Sequence, residues 1–172
     1  GYFTKQEPNP FVDRLCESVI LTIMESTEVL LKEPENLFAR GQFMWASCLA
    51  LNGLMQAGLK GFSFPNHIIE LPLSGKYNIA HGAGLSIVIP AWMRWYHERN
   101  EKQFERFSER IFGLKGKDAG IESLKGWFKR IGAPISLADV GLTQKEIPEL
   151  ARMGTELAQL LSLIHISEPT RR

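Results

Sequence analysis

Between Phe11 and Met24 the apolar residues of this chain fall at Phe11, Val12, Leu15, Cys16, Val19, Ile20, Ile23 and Met24. Steps of three and four put them along one side of a helix, whereas a half-buried strand needs steps of two. The same steps recur in "EKQFERFSERIFGL", with Phe104, Phe107, Ile111 and Phe112 inward, and in "DAGIESLKGWFKRIG", which Gly132 closes. No segment alternates with period two, and no internal repeat or low-complexity tract breaks the pattern. The spacing predicts an all-α fold, a helical bundle of about six helices.

Punctuation residues set the expected limits. Asn9 reads as an N-cap with Pro10 at the first helical position, and Pro34 stops that helix after about Lys32. A second helix is expected from about Glu35 to Ala57, ending at Gly58. It is apolar nearly all round after Phe43, and Ala46, Ser47, Ala50, Gly53 and Ala57 are small, so it reads as central and buried. "LKGFSFPNH" reads as a loop, and a helix kinked at Pro90 follows from about Ala83. Thr143 and Glu146 form a capping box for the last helix, "TQKEIPELARMGTELAQLL".

The 172 residues carry a formal net charge of +1 with no block of five like charges. A nucleic-acid or anionic-membrane partner therefore has no electrostatic basis. The hydrophobic share of 44% and charged share of 23% suit one ordinary globular domain. No apolar run reaches the length of a membrane span. Cys16 and Cys48 sit in apolar helical patterns, and no secretory signal opens the chain. Both read as reduced, buried thiols of a cytoplasmic protein. The opening "GYFTKQ" has neither Met nor a capping signal, as if a preceding element had been cut away. At the other end, "LSLIHISEPTR" resembles a translated sequencing-adapter read-through. Residues 1–161 are accordingly taken as the domain and 162–172 as a non-native tail, in which His165 has no role.

Only four histidines occur, and two of them, His67 and His81, share the stretch "HIIELPLSGKYNIAHG". A separation of fourteen is too long for two side chains of one helix to meet. They converge only if the chain turns back at Ser74-Gly75 or beyond. Neutral imidazole is the commonest protein ligand for iron and zinc, and a catalytic ion normally has three or more protein ligands plus an open position. Glu70, three residues after His67, would share its helical face and could complete a two-His-one-carboxylate set. The spacing equally admits a reading without metal, in which His67 caps a helix and His81 hydrogen-bonds in a turn.

The longer run "HIIELPLSGKYNIAHGAGLSIVIPAWMRWYH" closely resembles the C-terminal helical domain of the iron-containing (group III) alcohol dehydrogenases. It is most similar to their butanol-dehydrogenase-like, NAD(P)H-dependent aldehyde reductase branch. The likeness extends through "FARGQFMWASCLALNGL" and "FERFSERIFGL", over most of residues 1 to about 160. The family carries three histidines in this motif, and its first and third bind the metal. His67 and His81 match those two. The middle one, tied in the family to the cofactor and proton-relay side of the pocket, is Leu71 here. Leucine can neither donate nor accept a proton, so the departure bears on proton transfer and not on metal binding. A single A-to-T change converts a His codon into a Leu codon.

The resemblance implies a divalent ion, iron or zinc, held partly by His67 and His81, and hydride exchange between NAD(P)H and a small alcohol or aldehyde. The family's other two ligands, an Asp and a His four residues apart, would fall just before "GYF". Its Gly-rich dinucleotide-binding domain would come earlier still. On that reading the chain is an N-terminally truncated catalytic domain that is inactive alone, with a homo-oligomer allowed. Met44, Trp45, Phe62, Phe64 and Trp92 are expected as pocket walls or ordinary core. Two alternatives stay open: a polyol dehydrogenase relative, and a non-catalytic helical interaction module that kept the fold.

Overall fold

A computed structural model describes the backbone of residues 1–167 and the side chains of residues 1–161. The expectations about the tail from Ser162 onward lie outside the described side chains. Seven α-helices account for the fold among the described residues: α1 (Pro10–Leu30), α2 (Leu37–Leu51), α3 (Pro65–Tyr77), α4 (His81–Tyr96), α5 (Glu101–Phe112), α6 (Lys117–Arg130) and α7 (Ile147–Ser167). No strand occurs among those residues, and no helix is long and apolar enough to cross a membrane. The all-α expectation holds, with one helix more than the periodicity suggested.

The chain forms two compact units. One comprises residues 1–63 and 93–132; the other comprises residues 64–92 and the chain from Ala133 onward. In the first unit α1 packs with α2 and α5, and α5 packs with α6. Asn9 caps α1, its Oδ1 accepting from the Val12 N–H at 3.2 Å with Pro10 next in line. The buried side of α1 is more polar than its apolar stripe implies. Val12 is buried, but so are Asp13, Glu17 and Ser26, while Phe11 faces solvent. The two carboxylates are covered because they are paired. Asp13 takes Lys5 and the Gln103 amide (2.9 Å), and Glu17 takes the Tyr2 hydroxyl (2.8 Å) and a two-pronged Arg106 (2.5 and 2.9 Å). Next to this network Phe3 stacks on Phe104 at 4.3 Å and meets Phe107 edge-on.

Helix α5 keeps most of its predicted inward face: Phe104, Phe107 and Ile111 are buried, and Phe112 is half-buried. It approaches α6 closely at Gly120, whose N–H donates to the Ser108 hydroxyl at 2.9 Å. Helix α2 departs from expectation. It stops at Leu51, because Asn52-Gly53 turns the chain with Gly53 at φ 91°. Its only buried members are Ala39 and Ala46, while Leu37 is 82% exposed and Trp45 65%. Cys48, on the same helix, is exposed and Cys16 is half-buried, so neither thiol is the fully buried hydrophobe that the pattern suggested.

In the second unit α3 packs with α7, and Gly154 sits beside the Ile68 carbonyl. The segment after Gly132 is fixed by the Ser86 hydroxyl, which donates to the Pro134 carbonyl at 2.7 Å. The Thr143–Glu146 capping box is present, closing a short 3-10 turn that feeds α7.

Candidate metal centre

Proline starts helix α3: Pro65 occupies the first turn, where its lacking N–H costs nothing. Pro72 lies inside the helix and is buried. The helix continues through Ser74-Gly75, so the turn falls beyond those two residues, as the spacing allows. It comes at Asn78, in the left-handed region at φ 53°, a conformation that asparagine tolerates better than most residues. Three residues on, His81 opens α4.

That reversal brings the predicted pair together. His67 Nδ1 lies 3.1 Å from His81 Nε2, with the ring centroids 5.2 Å apart. Both residues are exposed. Partial burial, and next the neighbouring His81, hold the His67 imidazole below its ordinary pKa, against the pull of Glu70. A neutral ring keeps a lone pair for an ion. The separation fits two nitrogens bound to one ion through bonds of about 2 Å. It also fits a direct hydrogen bond between the rings.

Glu70 is placed differently from the spacing argument. It is 0% exposed and lies against the far side of His81, with Oε2 on the His81 Nδ1 and Oε1 accepting from the Ser74 hydroxyl. It therefore backs His81 and does not point with the two rings at a shared ion. Among the described residues no group of three or more His, Cys, Asp or Glu is arranged to hold a metal ion. Leu71, four residues beyond His67, is 42% exposed and offers no polar atom. Phe64 sets its ring edge-on to His67 at 6.0 Å, whereas Met44 and Trp45 are exposed on α2 and Trp92 is buried. The place of Glu70 behind His81 is not evident from the sequence alone. Its clue is the step of four from Glu70 to Ser74, which puts a hydroxyl over the carboxylate.

The profile of the Fe-containing alcohol dehydrogenase family, C-terminal, matches residues 1–165. The chain is 31% identical over 158 residues to the probable NADH-dependent butanol dehydrogenase 1 of Bacillus subtilis, covering 87% of this chain and 41% of that protein. It is 33% identical over 159 residues to the NADPH-dependent aldehyde reductase YqhD of Escherichia coli, covering 88% of this chain and 40% of that one. The crystal structure of NADH-dependent butanol dehydrogenase A from Thermotoga maritima superposes with a TM-score of 0.87 at 41% identity, over 91% of this chain and 40% of that one. The chain thus spans about two fifths of the length of the relatives it matches. On the profile, the sequence identities and the shared helical fold together, this chain belongs to the iron-containing alcohol dehydrogenase family and corresponds to its C-terminal domain.

Proposed function

We propose that residues 1–161 are the helical, metal-binding part of an NAD(P)-dependent alcohol dehydrogenase or aldehyde reductase, with residues 162–172 a non-native tail. The observation that carries this reading is the approach of His67 Nδ1 to His81 Nε2 at 3.1 Å, both residues being exposed, with a buried carboxylate behind one of them. The donor set fits a divalent ion, iron or zinc: two imidazole nitrogens, one of them backed as metal-bound histidines usually are. When bound, the ion supplies Lewis-acid polarisation of the substrate oxygen and the nicotinamide supplies or accepts the hydride. His67 and His81 would hold their share of the ion, and Phe64 covers one side of His67. Leu71 leaves the relay position without a proton carrier, so protons reach the substrate by another group or by water. The nicotinamide site and the remaining ligands come from the part of the family's length that residues 1–172 do not span. The substrate is a small alcohol or aldehyde, as the names of the relatives suggest, and the enzyme works in the cytoplasm, with a homo-oligomer allowed.

The test compares residues 1–172 with the same chain completed to family length. The completed chain should hold tightly bound metal and reduce aldehydes with NADH or NADPH. His67→Ala should abolish both, and Leu71→His should raise turnover with little change in metal content. Residues 1–172 alone should bind metal weakly, since two neutral imidazoles bring no charge to offset the ion's lost hydration, and should show no NAD(P)H turnover. Turnover by residues 1–172 alone, or a completed chain without metal, would overturn the reading. A polyol panel decides between simple alcohols and glycerol-type substrates. Leu71 also favours a second reading, a helical interaction module without catalysis; a metal-free, inactive completed chain is the outcome that reading requires.

A further inference from the structure

We propose that Glu70 is a positioning residue for His81, that its carboxylate holds the ring in the Nδ1–H form with the Nε2 lone pair turned to His67, and that Gly84 supplies the room this requires. The proposal rests on the reading of the two histidines as metal donors, and it concerns how one of them is set for that task.

Glu70 has no exposed surface. A buried carboxylate can only accept, and it must be met by donors to be kept from water. Ser74 donates to one oxygen, and the other oxygen faces the His81 Nδ1, which must therefore carry the proton. The remaining nitrogen, Nε2, is the one 3.1 Å from His67. One hydrogen bond thus fixes both the tautomer and the ring plane, which an exposed imidazole could not do unaided.

Gly84, in the first turn of α4, faces the same carboxylate. A Cβ built on it falls 2.7 Å from both Cγ and Cδ of Glu70, and closer still to Oε1. Any larger residue at 84 therefore displaces the Glu70 side chain. Gly84 has an ordinary helical φ, so the requirement here is space and not backbone freedom.

The test is made on the 172-residue chain in two arms. In the first, ring-nitrogen NMR of the metal-free protein reads the His81 tautomer at a pH where the ring is neutral. The wild type should show Nδ1–H. Glu70→Gln should keep it, because the amide oxygen can still accept while the amide nitrogen turns to Ser74. Glu70→Ala and Gly84→Ala should both lose it, the second without altering any hydrogen-bonding side chain. Gly84→Ala also decides the matter if Glu70→Ala does not fold, as an amide fingerprint spectrum would reveal. In the second arm, titration with cobalt(II) chloride should show affinity falling about 10- to 100-fold in Glu70→Ala and Gly84→Ala, and by much less in Glu70→Gln. Retention of the Nδ1–H form in both alanine variants would overturn the proposal, and so would wild-type cobalt affinity in both. If the wild type binds no cobalt while the tautomer still depends on Glu70, the metal reading falls and the positioning of His81 stands.

Discussion

Replacing Gly120 by Ala should destabilise this protein, although alanine is the better helix former. Gly120 and Gly126 both lie inside α6, and Gly→Ala in a helix interior is worth about 0.5–1 kcal/mol. At Gly126 nothing lies within 4 Å of the added Cβ, so Gly126→Ala should gain that full amount. At Gly120 the same Cβ meets Ser108 Oγ at 2.5 Å, Phe107 Cδ1 at 2.9 Å and, decisively, the Ser108 Cα at 2.9 Å. A hydroxyl can rotate away, but a backbone atom moves only if α5 shifts, and overpacking of that kind costs about 1–3 kcal/mol. The shift also stretches the buried Gly120 N–H to Ser108 bond, worth about 1 kcal/mol more. The net for Gly120→Ala is a loss of about 1–3 kcal/mol. Each kcal/mol moves Tm by about 2–4 °C in a chain of this size, so the two variants should separate clearly in thermal and urea melts followed by circular dichroism. Adding Ser108→Ala to Gly120→Ala should recover only part of the loss, because the clash with the backbone of α5 remains. A Gly120→Ala protein as stable as wild type would refute the reasoning, and complete recovery in the double variant would refute the backbone share of it.

Other outcomes follow from the first unit. Arg106→Ala leaves the buried Glu17 carboxylate with only the Tyr2 hydroxyl of its present partners and should cost about 3 kcal/mol in a urea melt. Glu17→Gln combined with Arg106→Met should cost far less, since no unpaired charge is left behind. Asn9→Ala removes the cap on the Val12 N–H and should cost about 1 kcal/mol by the same assay. Burial raises the Cys16 thiol above its ordinary pKa while Cys48 is exposed, so a maleimide near neutral pH should label Cys48 first. Labelling of Cys16 should catch up only as pH rises through its raised pKa, which mass spectrometry of the digested protein would follow.

Much of the helical outline is legible in the sequence because its signals are local. Asn9-Pro10, the inward Phe104, Phe107 and Ile111, the left-handed Gly132 and the Thr143–Glu146 box each appear where the residues require. Expectation and structure part where a residue's surroundings decide. The apolar circumference of α2 implies burial, but burial depends on what packs against a helix, and the sequence of α2 is silent on that. The run from Asn52 to Ala57 looks like more helix because Ala and Met favour it, yet Asn52-Gly53 is also turn chemistry, and the turn prevails. The spacing of His67 and His81 permits the meeting that occurs, without fixing where the chain reverses. Glu70 shares a helical face with His67 and so reads as a third ligand. Only the reversal at Asn78 reveals that its carboxylate is taken by His81 instead.

The exposed side of α2 has a calorimetric consequence. Heat capacity rises on unfolding because apolar surface that was dry becomes hydrated, by roughly 12–15 cal/mol/K for an average residue. Leu37, Phe38, Met44, Trp45 and Leu51 are already wet in the folded chain, so melting α2 adds little to that change. Unfolding should therefore show a heat-capacity step below the norm for 172 residues. The stability curve is correspondingly flat, with cold weakening the fold less than it weakens a protein of equal length whose apolar helices are all covered.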